Sequence, residues 1–315
     1  MPDLREKRIL VTGGAGFVGR HVLRLLQARG CSQILAPDRR QYDLTEEAHV
    51  ERLFRDAGPQ VVIHLAGAVG GIGASQLHPG QTFYSNLLTG TFCMEYARRA
   101  GVEKFVGVGT ICSYPKQSPV PFREENLWDG YPEEIHAPYG LAKKMLLVQS
   151  QAYRRQYGFN AIHLLLVNLY GPGDHFESEN PPVVSALIRR CFEAMDRDAP
   201  ELVCWGDGTP TREFLYVEDC AEAIVLAAER YDGGEPVNVG SGVEVSIRQL
   251  VEAIADCAGF RGKIAWDRTR PGGQPRRCLD VRRAVEAFGF RARTPLADGL
   301  RATVEWYRNH RRTNG

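Results

Sequence analysis

Residues 8–19 read Arg-Ile-Leu-Val-Thr-Gly-Gly-Ala-Gly-Phe-Val-Gly, an apolar run that ends in a glycine-rich turn. The run Arg8–Thr12 has the composition of a buried strand. Phe17–Arg29 carries apolar residues at helical spacing, and Gly30 follows it as a helix-ending residue. This stretch therefore predicts a strand, a tight turn and a helix in immediate succession.

Each glycine of the turn is expected for a different structural reason. Gly13 permits the tight turn itself, and Gly16 lets the backbone approach a pyrophosphate. Gly19 allows the helix to pack closely on the strand, while the positive end of the helix faces the phosphates. Because this turn lies directly between a strand and a helix, it predicts a dinucleotide-binding site rather than a structural turn alone.

Short apolar runs alternate with helix-period segments throughout the first half of the chain, which is typical of βαβ units. Thr45 is the expected cap of the second helix. The predicted fold class is α/β, with a Rossmann-type doubly wound parallel sheet. We predict further strands at 33–36, 61–66, 105–109 and 161–167, and helices at 45–57, 82–100 and 139–157.

The amino-acid composition changes after Tyr170, where glycine, proline and asparagine become frequent. We therefore predict a dinucleotide-binding domain at 1–170, to which residues of about 215–241 return. A smaller mixed α/β C-terminal lobe at 171–214 and 242–315 is expected to bind the substrate. Its expected elements are a strand at 236–240, a helix opened by the capping box Ser246-x-x-Gln249, and an amphipathic helix at 296–308.

The composition argues against several classes of protein. The chain has 315 residues, with 39 basic and 38 acidic side chains, and this balance disfavours a nucleic-acid-binding surface. No apolar run approaches the ~18 residues that span a bilayer, and no signal-peptide core opens the sequence. We therefore expect a cytoplasmic protein with neither a membrane nor a nucleic acid as its partner.

The eight cysteines contain no closely spaced pair of the kind that binds zinc. Their density is also too low for a disulfide scaffold. We therefore expect no metal site, and we expect all of them except Cys112 to be small, reduced residues of the core.

The second predicted strand ends near Asp38-Arg39-Arg40, about 20 residues after the glycines. An acidic residue here binds the ribose hydroxyls of NAD, whereas arginine accommodates the extra phosphate of NADP. The chain offers both residue types, so the sequence leaves the choice open. A solvated charge cluster is an equal alternative for Arg40. Asp43 is placed where a short side chain can meet the adenine.

Tyr139 and Lys143 are four residues apart at the start of a predicted helix, so they share one face. A neighbouring ammonium group is expected to lower the pKa of the Tyr139 phenol, which suits a general acid. Thr110 ends the fourth predicted strand, where its hydroxyl can hold a carbonyl oxygen; simple capping of the strand end is the alternative. These residues predict proton transfer to a carbonyl group.

Cys112 lies two residues beyond Thr110, so an extended chain would point both side chains the same way. A thiol can move protons beside a carbonyl when its surroundings lower its pKa. Cys112 is therefore a candidate acid/base residue, and an ordinary core cysteine is the alternative.

Seven motifs carry a resemblance to the extended short-chain dehydrogenase/reductases that modify nucleotide sugars. The resemblance covers essentially the whole chain, and the VGGI and CSYPK segments make it strongest toward the GDP-fucose synthases. The motifs are GGAGFVG (13–19), HLAGAVGGI (64–72), CSYPK (112–116), PYGLAKK (138–144), NLYGPGDHF (168–176), WGDGTPTREFLYVEDC (205–220) and QPRRCLDV (274–281).

The resemblance implies a set of catalytic residues. Thr110 matches the family's catalytic serine or threonine, and Tyr139 and Lys143 match its Tyr–Lys pair. Cys112 matches the family's epimerisation acid/base. The second epimerisation residue of the family, a histidine, falls at Pro182, and proline cannot transfer a proton.

The resemblance also implies how the cofactor and the substrate are held. A homodimer through the helices at 82–100 and 139–157 is typical of the family. NADP, with NAD as the alternative, is expected against Gly13, Gly16, Phe17, Val18, Gly19, Asp38, Arg39, Asp43, Leu44, Leu65, Ala66, Gly67, Tyr139 and Lys143. The nucleotide sugar is expected against Val69, Gly70, Asn168, Val184, Trp205, Arg212 and Arg277, with Arg276 as an alternative to Arg277.

The expected function is NAD(P)H-dependent reduction of a nucleotide-linked 4-keto-6-deoxyhexose, either GDP- or dTDP-linked. Hydride transfer needs only residues that are intact, whereas epimerisation beside the carbonyl needs an acid/base pair that Pro182 interrupts. One alternative is a nucleotide-sugar epimerase acting at the 3- and/or 5-position with bound NAD(P), using Cys112 together with His175 or Glu177. The other alternative is an inactive dinucleotide-binding scaffold.

Overall fold

The computed structural model of the chain describes residues 3–69, 76–269 and 274–314. The helices are α1 (Phe17–Ala28), α2 (Glu47–Ala57), α3 (Pro79–Arg99), α4 (Ala137–Tyr157), α5 (Val183–Asp196), α6 (Val217–Arg230), α7 (Ile247–Ala258), α8 (Arg282–Phe288) and α9 (Leu296–Asn314). The strands are β1 (Ile9–Thr12), β2 (Ile34–Leu35), β3 (Val61–His64), β4 (Lys104–Thr110), β5 (Ala161–Leu166), β6 (Asn168–Tyr170), β7 (Glu201–Trp205), β8 (Thr211–Tyr216), β9 (Val237–Val239), β10 (Glu244–Ser246), β11 (Lys263–Asp267) and β12 (Arg276–Arg277).

The first half of the chain builds a parallel sheet whose strands run in the order β2-β1-β3-β4-β5-β9. Successive residues of β1 face opposite sides: Ile9 and Val11 pack in the core that includes α1 and α6, whereas Leu10 packs in the core that includes α2 and α3. Both faces of the sheet are therefore covered, which explains why its strands are almost uniformly apolar. This arrangement confirms the predicted α/β fold of the Rossmann type.

The carboxyl ends of three adjacent strands form one edge of this sheet. β1 leads into the glycine turn at Gly13, β3 leads into the segment 65–67, and β4 ends at Thr110. Because β1 and β4 both pair with β3, these three ends lie side by side. Ligands of open α/β sheets bind outside this edge.

Most of the strands and helices that follow β5 form a second layer, which has a hydrophobic core of its own. β8 pairs with β6, β10 and β12, while β7 pairs with β11. α5, α7 and α9 pack their apolar residues against these short strands. The predicted capping box is confirmed, since Ser246 and Gln249 exchange hydrogen bonds at the start of α7. α8 packs instead on the first core, through Ala284 and Phe288, and the limits of the two domains remain a prediction.

Several boundaries differ from the prediction for local physical reasons. The predicted cap at Thr45 is wrong: α2 begins at Glu47 with Glu46 as its cap, because the amide and the hydroxyl of Thr45 both donate to Asp43. α3 begins earlier than predicted, at Pro79, because proline suits the first turn of a helix. α5 and α6 have no counterpart among the predicted elements.

The two longest helices of the sheet domain, α3 and α4, pack against each other and leave Phe83, Tyr84 and Val148 exposed. A homodimer through these helices stays a prediction, which the molar mass in solution would test. In the described ranges, none of the helices combines the length and the apolarity that crossing a bilayer requires.

Candidate active site

The glycine turn after β1 has the shape that a dinucleotide needs. Gly13 has a φ of +71°, and a side chain there would lie 2.8 Å from the amide nitrogen of Ala66. A side chain at Gly19 would overlap the backbone of Gly13 and Gly14. Gly16 is the residue before α1, and no side chain caps the start of this helix. The first backbone amides of α1 therefore have no hydrogen-bond acceptor within the helix. The turn therefore fits the pyrophosphate of a dinucleotide.

Four charged residues follow β2: Asp38, Arg39 and Arg40 are exposed, and Asp43 is half-buried. One oxygen of Asp38 accepts a hydrogen bond from the amide of Arg40 at 2.8 Å, which ties the carboxylate to its own turn. Thr45 donates two hydrogen bonds to Asp43 and lowers the pKa of that carboxyl. The side chains of Arg39 and Arg40 make no hydrogen bond or close ion pair within the described residues. They are the groups most available to a phosphate here.

Tyr139 lies in the first turn of α4, near Thr110 at the end of β4. Burial raises the pKa of the Tyr139 phenol, Cys112 raises it further, and Thr110 opposes this rise. The expected fall in this pKa is therefore wrong for the protein by itself, because burial outweighs any nearby positive charge. The phenol is a firmly protonated donor at neutral pH.

Lys143 lies one turn further along α4, and its side chain is almost fully buried. Its Nζ donates a hydrogen bond to the carbonyl oxygen of Ala66 at 3.2 Å. Burial lowers the pKa of Lys143 to about 8. Gly67 makes room for the ammonium group, since a side chain at that position would come within 3.0 Å of Nζ. Lys143 is thereby held at the end of β3, beside the glycine turn.

Asn86 of α3 belongs to the same site, although no sequence pattern singles it out. Its Nδ2 donates to the carbonyl oxygens of Ala68 and Thr82. Its Oδ1 is buried and has no hydrogen-bond partner in the part of the chain that the structure describes. A side chain at Gly67 would lie 2.8 Å from this oxygen. A buried acceptor without a partner fits the donor of a ligand or an ordered water.

The eight cysteines are free thiols, and Cys112 is among the few that are only partly buried. Cys112 lies in a single 3-10 turn opened by Thr110, whose Oγ1 accepts a hydrogen bond from the Cys112 amide at 3.2 Å. The expected side-chain alternation of an extended chain is therefore wrong. Gly140 lets this turn pack on α4, because a side chain there would overlap the carbonyl of Cys112. Cys112 is nevertheless close enough to Tyr139 and Arg212 to raise the pKa of each.

Two arginines on paired strands lie side by side beyond Cys112. Arg212 of β8 and Arg277 of β12 are partners in the strand register. Arg277 is 6% exposed, its Nε has no hydrogen-bond partner among the described residues, and its Nη1 lies 3.9 Å from Glu133. Burial, together with Arg277, lowers the pKa of Arg212 to about 10. A buried and a half-buried guanidinium group beside a single neighbouring carboxylate fit a multiply charged anion such as a diphosphate.

The structure separates the two arginines that the sequence left as alternatives. Arg276 is exposed and forms an ion pair with Glu244 at 2.5 Å on the surface. Arg277 is buried beside Arg212. The strand alternation of β12 therefore directs Arg277, and not Arg276, toward the candidate site.

The other residues expected against the substrate are spread over both layers. The Nδ2 of Asn168 donates to a backbone carbonyl of β8, and Val184 is buried in the core of the second layer. Trp205 and Val69 are exposed, and Gly70 lies outside the described residues. Their contacts with a substrate remain predictions.

Pro182 caps the start of α5 and carries no group that can transfer a proton. His175 packs its ring against that of Phe17 at the glycine turn, with 6.5 Å between the ring centres. Glu177 is exposed, and its charge raises the pKa of Tyr307 in α9. Within the described ranges, neither residue hydrogen-bonds or pairs with the groups around Cys112. A part for either residue in epimerisation stays a prediction.

Comparisons with known proteins agree with this geometry. Residues 9–240 match the model of the NAD dependent epimerase/dehydratase family. The chain is 42% identical over 302 residues to the GDP-L-fucose synthase of Sinorhizobium fredii, which covers 96% of each chain. It is 40% identical over 301 residues to the probable GDP-L-fucose synthase 1 of Oryza sativa subsp. japonica, covering 95% of this chain and 92% of that one.

The fold is also similar to that of a solved structure. The GDP-L-fucose synthetase from Naegleria fowleri superposes with a TM-score of 0.91 at 25% identity, over 99% of this chain and 97% of that chain. The matched family model spans the glycine turn, Thr110, Tyr139 and Lys143. The chain therefore belongs to the NAD-dependent epimerase/dehydratase family of extended short-chain dehydrogenase/reductases.

Proposed function

We propose that the protein uses NADPH to reduce the ketone of a nucleotide-linked 4-keto-6-deoxyhexose. One observation carries the proposal: a single helix, α4, supplies groups to both halves of the site. It places Tyr139 against Cys112, which neighbours Arg212, and it places Lys143 against Ala66 at the glycine turn. Tyr139, the proposed proton donor, would thus lie between the proposed dinucleotide site and the proposed anion site.

The residues of the chain handle the proton in this reaction. Tyr139 donates its phenolic proton to the ketone oxygen, because its raised pKa keeps it protonated until negative charge develops there. Thr110 holds the same oxygen through its hydroxyl. The ammonium group of Lys143 stabilises the phenolate that remains on Tyr139. When bound, the nicotinamide supplies the hydride.

The anion site and the relatives support the choice of substrate. Arg277 is buried and Arg212 is half-buried, and a diphosphate would supply the acceptor that the Nε of Arg277 lacks. Two relatives named as a GDP-L-fucose synthase and a probable GDP-L-fucose synthase 1 are 42% and 40% identical to this chain. A GDP-linked sugar is therefore the first candidate, and a dTDP-linked sugar is the alternative.

The proposed preference for NADP rests on the exposed arginine pair after β2. Arg39→Ala is expected to raise KM for NADPH about tenfold, because a hydrogen bond to a charged group contributes roughly 1.5–3 kcal/mol and solvent weakens it here. KM for NADH is the internal control and should change less than about twofold, since NADH lacks the phosphate. Steady-state kinetics with both cofactors check this. An equal rise for both would contradict a phosphate contact.

The activity is expected to fall with rising pH because of Lys143. Burial has brought its pKa down to about 8, so the ammonium group is present below that pH and is lost above it. A profile of kcat/KM for NADPH, which reports the free enzyme, should therefore decline above about pH 8. In Lys143→Met the residual activity should show no such decline. A wild-type profile that stays flat to pH 9.5 would contradict the role of Lys143.

The function is tested by mixing the purified protein with GDP-4-keto-6-deoxymannose and NADPH and following absorbance at 340 nm. The expected result is a loss of absorbance that depends on the sugar, with a 6-deoxyhexose as the product. dTDP-4-keto-6-deoxyglucose is the second substrate to try. Absence of sugar-dependent oxidation with either compound, by a protein that binds NADPH, would count against the proposal.

A further inference from the structure

The ketone of the proposed substrate makes the hydrogens on its neighbouring carbons acidic. Inverting such a carbon requires one group that removes the proton and a second group that returns a proton from the other side. Cys112 is the candidate for one of these two proton-transfer groups. The family histidine is replaced by Pro182, so a second group, if the chain has one, must come from another element.

His136 stands immediately before α4, three residues ahead of Tyr139. Its carbonyl oxygen accepts the amide of Gly140 at 2.8 Å, and Gly140 is the residue on which the Cys112 turn packs. Backbone contacts therefore fix His136, Tyr139 and Cys112 relative to one another. The imidazole is 16% exposed, so it is held by its neighbours and still reachable by a ligand.

The charged neighbours of His136 are the same residues that form the anion site. Its Nε2 lies 3.7 Å from the Oε2 of Glu133, and this carboxylate oxygen lies 3.9 Å from Arg277. Arg277 and Arg212 are register partners, and Arg212 interacts electrostatically with Cys112. A series of pairwise contacts and electrostatic interactions therefore links His136 to Cys112.

The protonation of His136 suits a base. Burial lowers its pKa, Arg277 and Arg212 lower it further, and Glu133 opposes them. The imidazole is therefore neutral at neutral pH and free to accept a proton. When it does, Glu133 offsets the new positive charge. When the Cys112 thiol gives up its proton, Arg212 offsets the new negative charge.

We infer that His136 is the second proton-transfer residue of this site and acts with Cys112 to epimerise a carbon beside the ketone. The inference rests on the proposed function, which supplies the keto sugar. The imidazole removes the proton from the carbon, and the C–H electron pair becomes the enolate, whose oxygen Thr110 and Tyr139 hold. The thiol returns a proton to the same carbon, the C=O bond re-forms, and no electrons are gained or lost. Proton exchange with water restores both groups.

The other candidates for this role have different surroundings. His175 packs on Phe17, and Glu177 is an exposed residue near Tyr307. His64 and His163 are fully buried in the sheet, where burial lowers the pKa of each to about 3. His136 is the one described histidine whose charged neighbours include Arg212 and Arg277.

The test is deuterium exchange of the 4-keto sugar in D2O, with NADP⁺ bound and no reductant, read at C3 and C5 by NMR. The wild-type protein should incorporate deuterium at one or both carbons. His136→Asn is expected to lower the exchange at one carbon about 100-fold, the size of a lost acid/base group. Glu177→Gln tests the competing assignment and should exchange at the wild-type rate; loss of exchange in this variant would assign the role to Glu177 instead. In His136→Ala, added imidazole should restore exchange, which a purely structural role would not allow.

Three results would overturn the inference while leaving the proposed function intact. The first is a wild-type protein that reduces the ketone but exchanges no carbon-bound hydrogen. The second is unchanged exchange in His136→Asn. Loss of exchange in His136→Asn with no rescue of His136→Ala by imidazole would also overturn it, provided that both variants still bind NADPH. A protein that reduces no keto sugar at all would instead contradict the proposed function.

Discussion

Tyr139→Phe is expected to lower kcat for ketone reduction about 10³-fold, within the range that a general acid contributes. The phenol lies near Thr110 at the end of β4, and its raised pKa keeps it protonated, as the proposed proton donor must be. The affinity for NADPH should change little, because Lys143 and the glycine turn keep their contacts with Ala66. Single-turnover kinetics and NADPH fluorescence titration measure the two quantities separately.

Tyr131→Phe is a suitable control for this prediction. Tyr131 is 63% exposed and lies ahead of α4, so removing its hydroxyl should leave kcat unchanged. A Tyr139→Phe protein that keeps more than about a tenth of the wild-type kcat would show that another group protonates the ketone. Loss of NADPH binding together with turnover would point to a structural role instead.

Arg277→Met should raise KM for the nucleotide sugar between about 10- and 100-fold. A hydrogen bond to a charged group contributes roughly 1.5–3 kcal/mol, and about 1.4 kcal/mol corresponds to a factor of ten. Arg277 is buried without a hydrogen-bond partner for its Nε in the described part of the chain, and the proposed function assigns the diphosphate as that partner. kcat should fall much less than the affinity, because a diphosphate contact holds the substrate and its transition state equally.

The neighbouring arginine provides the matched control. Arg276→Met changes the same residue type on the same strand, but Arg276 pairs with Glu244 on the surface. Its KM for the nucleotide sugar should remain within about twofold of the wild-type value, as is usual for an exposed ion pair. Equal effects of the two substitutions would contradict the placement of the diphosphate beside Arg277.

Local pattern alone predicted the fold of the sheet domain. β1 and α1 flank a turn in which Gly13 and Gly19 are required by close backbone contacts, and glycine spacing is visible in any sequence. Three strands of the second layer were harder to predict because they are short. β12 has two residues, and β6 and β10 have three each, so none is long enough to show an alternating pattern.

The candidate site could be predicted only where one segment carried the signal. Tyr139 and Lys143 share a helical face, so their spacing reveals them. Asn86 and His136 enter the site through contacts with residues far away in the chain or on other elements, and no local pattern marks them. The sign of the pKa shift of Tyr139 was wrong because it depends on burial, which the sequence does not display.

The central claim is that this site transfers a hydride to the ketone carbon of a nucleotide-linked sugar. The most direct measurement supplies NADPH that carries deuterium at the transferred position, together with GDP-4-keto-6-deoxymannose, and locates the label in the product by NMR and mass spectrometry. The account predicts one deuterium, bound to C4 of the sugar, for each NADPH oxidised. Label at another carbon, or a product formed without label, would contradict it.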